Sequence, residues 1–101
     1  MDKFKAGVKI SGIKPEMLFA HCMIKSVFSN YGYDSIITSA LDGTHSRGSL
    51  HYVGFALDYR IRHLESGAAE MIVNDIKQAL TDEFDVVLEP THIHVEFQPK
   101  G

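Results

Sequence analysis

Alternation of apolar and polar positions marks two stretches of the chain as strands. From Gly54 to Tyr59, the residues Phe55, Leu57 and Tyr59 fall on one side and Gly54, Ala56 and Asp58 on the other, which is the two-residue period of extended backbone. Near the C-terminus Ile93, Val95 and Phe97 share one side, while His92, His94 and Glu96 share the opposite one. Two further stretches follow helical spacing. Pro15 suits the first position of a helix and Glu16 its positive end. Leu18, Ile24, Val27, Phe28 and Tyr31, with Phe19, Ala20 and Met23 beside them, form an apolar stripe that Gly32 ends. A second helix is predicted from about Gly67 to Leu80, capped by Ser66, with Ala69, Ile72, Val73, Ile76 and Leu80 on its inner face. Short strands are expected at Val8 to Ile10, Ile36 to Thr38, Gly54 to Ile61 and Val86 to Leu88, and the last strand, His92 to Phe97, follows a turn at Pro90. Ser39 to Leu50 is rich in Gly, Ser, Thr, Asp and His and reads as a loop. This order predicts an α+β fold, a small and mostly antiparallel sheet with two helices packed on one face.

Composition narrows the function. At 101 residues, 45% hydrophobic and 23% charged, the chain is expected to form one domain spanning residues 1–101, around a single core. A net charge of -3 argues against nucleic acid, whose phosphates call for a surplus of Lys and Arg. The lone cysteine, Cys22, cannot close an internal disulfide. No secretory signal and no membrane-length apolar run is read in the sequence. The expectation is therefore a monomer without a membrane partner, made in the cytoplasm and reaching any external target after release.

The polar sides of the two alternating strands change the picture. A solvent-facing strand normally carries inert polar residues, whereas here Asp58 stands on a side cleared of bulk and His92, His94 and Glu96 form a row. Zinc accounts for such a set. It takes imidazole nitrogen and carboxylate oxygen, and a catalytic zinc keeps three protein ligands and a fourth position for water. His51, from the loop, Asp58 and His94 are the expected ligands of one zinc ion, with Gly54 and Ala56 keeping the face open. Glu96 is expected to orient a ligand histidine from behind. His21 and His63 lack such company and are expected at the surface or at a helix edge.

The run from Asp42 to Asp58, with its Ser-x-His-x-x-Gly-x-Ala-x-Asp core, followed by His92-Ile93-His94, resembles the zinc peptidases of the D-Ala-D-Ala carboxypeptidase, lysostaphin and hedgehog superfamily. The mark is a His, six intervening residues and an Asp, then a later His-x-His. In wording the run is similar to the hedgehog signalling domain, and in size to phage and bacterial peptidoglycan peptidases. The resemblance implies a zinc metallopeptidase that hydrolyses an amide in peptidoglycan peptides through metal-activated water. It implies Glu89 as general base, with Glu96 as the fallback, and His92 as the residue that stabilises the oxyanion. A register in which His92 itself binds zinc stays open, since Glu89 and His92 then form a Glu-x-x-His pair. His45 corresponds to a histidine beside the metal in hedgehog-type domains. Ser49 and Arg47 are expected to meet the substrate. The family's carboxylate-gripping Arg has Thr38-Ser39-Ala40-Leu41 in its place, which leaves Arg47 or Arg60 as substitutes and gives an endopeptidase more room. Only Asp42 stands where hedgehog domains cluster acids for calcium, so no calcium is expected. The alternatives are a catalytically inactive, zinc-stabilised binding module and a structural component of a phage particle.

Overall fold

The computed structural model describes residues 2–4, 15–40 and 56–97. Their elements are β1 (Asp2–Phe4), α1 (Pro15–Asn30), β2 (Ser35–Ser39), β3 (Ala56–Arg60), α2 (Ala68–Ala79), β4 (Phe84–Leu88) and β5 (His92–Phe97). The strands form one sheet in the order β1-β2-β3-β5-β4, parallel between β1 and β2 and antiparallel elsewhere. The fold is thus a small α+β domain, as the pattern of elements predicts. The expected strand at Val8 to Ile10 lies outside the described residues.

Strand periodicity gives the sheet two chemically different faces. Leu57 pairs with Val95 and Tyr59 with Ile93, while Val86 continues the row beside Val95 and Ile37 the row beside Tyr59. These side chains are buried together with Met17, Ala20, Ile24, Val27 and Phe28 of α1 and Ile72, Val73 and Ile76 of α2. Both helices therefore cover this face, and the other carries Asp58, Arg60, His92, His94 and Glu96. Burial of the apolar row, at about 25 cal/mol per Å² removed from water, sets the register. A slip of one residue would turn the histidine row into the core.

Helix α1 begins at Pro15 and ends before Gly32, whose φ of 82° is the left-handed conformation glycine adopts without strain. Ile24, Val27 and Phe28 are buried as expected, and the stripe departs from the expected one near the start of the helix. Met17, Ala20 and His21 point inward, whereas Leu18 is 46% exposed and Phe19 62%. His21 corrects the surface expectation: it is 8% exposed, and its Nδ1 shares a 2.7 Å hydrogen bond with the hydroxyl of fully buried Tyr59. A polar ring is tolerated there because the phenol meets it in the core. His63 is half-buried, stacked on Phe28, and its Nε2 donates to the Asp34 carbonyl at 2.8 Å.

Helix α2 shows the expected inner face, with Ile72, Val73, Ile76 and Leu80 buried. Its start differs, since the capping position is Gly67 at φ 85° and no side chain caps it, so Ser66 does not take that role. Tyr31 at the end of α1 donates a 2.6 Å hydrogen bond to Asp75 Oδ2 of α2. That bond to Asp75 holds the phenol above its ordinary pKa.

Candidate metal centre

The centre is built by the pairing of β3 with β5. Asp58 and His94 are register partners at the middle of that ladder, and Arg60 and His92 are the next pair on the same face. Directly opposed residues of antiparallel strands place their Cβ atoms about 4.5–5.5 Å apart, close enough for side chains to touch. Asp58 Oδ1 lies 2.7 Å from His94 Nδ1 and 3.7 Å from His92 Nε2. Asp58, His92 and His94 each offer a ligand atom within 4.8 Å of the others, and all three side chains are half-buried.

Around this group the rings are held from behind. His94 Nε2 is 2.6 Å from Glu96 Oε1, the expected orienting contact of Glu96. His92 Nδ1 is 3.0 Å from the Thr91 hydroxyl, which leaves Nε2 turned to Asp58. A carboxylate on each ring nitrogen favours the imidazolium, so the His94 pKa is raised from 6.5 to about 9. The hydrogen bond to Asp58 is the largest cause; partial burial opposes it and Glu96 adds to it.

These donors fit a divalent ion. Zinc bonds of roughly 2.0–2.2 Å set neighbouring donors around a tetrahedral ion roughly 3.4 Å apart, and the two separations from Asp58 Oδ1, 2.7 and 3.7 Å, bracket that spacing. An ion would displace the proton His94 shares with Asp58 and retain the one it shares with Glu96.

Two of the three expected ligands, Asp58 and His94, are thus brought together, and His92 joins them in the register left open by the sequence. His51 lies outside the described residues, as do His45, Arg47, Ser49 and Gly54. Ala56 is fully buried. The Glu89 amide donates to the His92 carbonyl at 2.8 Å, closing the β4–β5 hairpin. The residue lines a shallow hollow with Ile61, Ala69, Glu70, Leu88 and Pro90.

Arg60, named from the sequence as a substitute for the family's carboxylate-gripping Arg, belongs to a hollow that the sequence does not reveal. Thr38, Arg60, Ile61, Arg62, Leu64, Pro90, Thr91 and His92 line a hollow of about 610 Å³ next to the centre. Its signal was the alternation of Asp58 and Arg60 on one strand side. Thr38 reaches it through a register irregularity in β2, where Ile37 pairs with Tyr59 and Ser39 with Asp58. No family model, curated protein or solved structure matches this chain.

Proposed function

We propose that this domain is a zinc-dependent hydrolase that cuts an amide bond in bacterial peptidoglycan peptides. One observation carries the reading: Asp58 and His94, drawn from the two stretches that resemble the zinc peptidases, meet at 2.7 Å on the face away from the helices. Asp58, His94 and either His92 or His51 would hold the ion. When bound, zinc supplies a positive charge that acidifies water and polarises an amide carbonyl.

The chain's own residues account for the rest. Glu96 fixes the His94 ring by accepting from Nε2–H, which aims Nδ1 at the centre. Thr91 holds His92 through Nδ1: with the hydroxyl accepting from Nδ1–H, Nε2 offers its lone pair to the ion, and with the hydroxyl donating to Nδ1, Nε2–H is left to donate to an oxyanion. Glu89 is the proposed proton carrier between water and the leaving amine. The deciding assay incubates zinc-loaded protein with peptidoglycan of several cross-link chemistries beside a known lysin. Fragment release that chelation stops and zinc restores supports the reading. Release by the lysin alone overturns it.

A second reading, a zinc-stabilised binding module without turnover, draws support from Glu89. Its side chain lines the hollow with Ala69 and Glu70 and is not part of the group of converging donors. Glu89→Ala separates the two. In an enzyme this variant keeps zinc and stability and loses turnover; in a module it changes neither.

A further inference from the structure

We infer that the hollow between the start of α1 and the far end of the β4–β5 ladder is a docking site for an arginine side chain of a partner protein. It lies on the helix side of the sheet, across from the metal centre, and the inference is independent of the hydrolase reading. Phe84 and Phe97 are register partners at the end of that ladder, with ring centroids 5.1 Å apart. They close the end of the core only in part, since both stay half-buried. Phe19 of α1 joins them in the lining and is 62% exposed. Three aromatic rings thus remain in contact with water around one hollow of about 490 Å³. Single exposed apolar residues are ordinary on a protein surface, whereas a cluster of them rimmed by polar groups marks an interaction site.

The rim determines what fits. Glu16, one helical turn before Phe19, and Glu83, next to Phe84, also line the hollow. A turn closed by the Phe84 amide, which donates to the Thr81 carbonyl at 3.1 Å, holds Glu83 there. No Lys, Arg or His stands among the described residues of this lining, so its charged groups are of one sign and a cation is their complement. Arginine suits both halves of the surface. Its guanidinium meets a carboxylate with parallel N–H donors and stacks flat on aromatic rings, while its hydrocarbon stem covers apolar surface. A purely apolar occupant would strip water from the carboxylates and return no hydrogen bond.

Titration of the isotope-labelled full chain with acetyl-Ala-Leu-Arg-Leu-Ala-amide, followed through its amide NMR shifts, tests the site. The same peptide with citrulline in place of arginine is the neutral counterpart of nearly equal shape. The arginine peptide is expected to bind about tenfold tighter, the scale of one charge-assisted pair, and to move the amides of Glu16, Phe19, Glu83 and Phe84 most. Glu16→Gln should erase most of that preference, and Phe19→Ala should weaken the arginine peptide by about fivefold. Both residues are exposed on α1, so both variants are expected to keep the wild-type Tm. Leu18→Ala, exposed on the same helix but outside the lining, should leave binding unchanged. Equal binding of the two peptides, no binding of either, shifts centred elsewhere, or an affinity unchanged in both variants overturns the site. So does self-association of the free protein that Phe19→Ala abolishes, which gives the hollow to a second copy of the chain.

Discussion

Asp58 Oδ1 and His94 Nδ1 lie 2.7 Å apart as register partners on adjacent strands, so strand pairing and assembly of the centre are one event. Substituting either group should therefore remove the ion without rebuilding the sheet. Asp58→Asn and His94→Gln are each expected to lose stoichiometric zinc by elemental analysis while keeping the wild-type circular dichroism spectrum. Full zinc content in both variants would refute the centre.

Glu96 acts through His94, and its loss should be milder. Glu96→Gln is expected to weaken zinc binding by about 10–100-fold, the usual effect of removing a partner behind a ligand, in competition with a chromophoric chelator. An unchanged affinity would mean that the 2.6 Å contact does not orient the ring.

The metal-free protein should lose stability in alkali through His94. Its pKa is raised from 6.5 to about 9 in the folded state, so the folded form binds the proton more tightly than the unfolded one. The resulting stabilisation is fully present below about pH 6.5 and is lost as pH rises through about 9. Thermal melts of metal-free wild type and His94→Gln should therefore converge between these values. Parallel pH profiles for the two proteins would contradict the assignment.

The core offers a matched pair of tests. Ile93→Ala empties a fully buried position in β5 and should cost about 2–5 kcal/mol in chemical denaturation, a large part of the roughly 5–15 kcal/mol that holds a domain together. Leu18→Ala, on the exposed side of α1, should cost under about 0.5 kcal/mol, although simple helical spacing counts Leu18 as a core residue. Equal losses would show the helix in another rotation.

Tyr59→Phe tests the buried polar pair. Removing the hydroxyl deletes its 2.7 Å bond to His21 Nδ1 and is expected to cost about 1 kcal/mol, or a fall of about 4–8 °C in Tm for a domain of this size. No change in Tm would mean that the ring finds an equal partner elsewhere.

Strands β3 and β5 were legible because a two-residue period admits one partition of side chains between faces, whereas β1 at Asp2–Phe4 carries no such period. Ile93 and Val95 against His92, His94 and Glu96 needed no tertiary knowledge. The start of α1 was less legible, since Met17, Leu18, Phe19 and Ala20 are a continuous apolar run from which several stripes can be drawn. Polarity concealed His21, whose inward position depends on a hydroxyl thirty-eight residues away. Ser66 suits a cap by residue type, but backbone geometry, here a left-handed Gly67, decides that position. At the centre, the Asp58 and His94 pairing followed from alternation and motif together. The arginine hollow did not, because it depends on how the segment after β3 turns past Pro90 and Thr91.

The β4–β5 hairpin closes through the short bond from the Glu89 amide to the His92 carbonyl, whereas β3 is separated from β5 along the chain by α2 and β4. The hairpin can thus present two histidines on local contacts alone, and the aspartate stands beside them only once the longer-range β3–β5 ladder forms. Metal capture would then report completed folding, and a chelator would act on this protein as a denaturant in slow motion, drawing off molecules each time the central ladder opens.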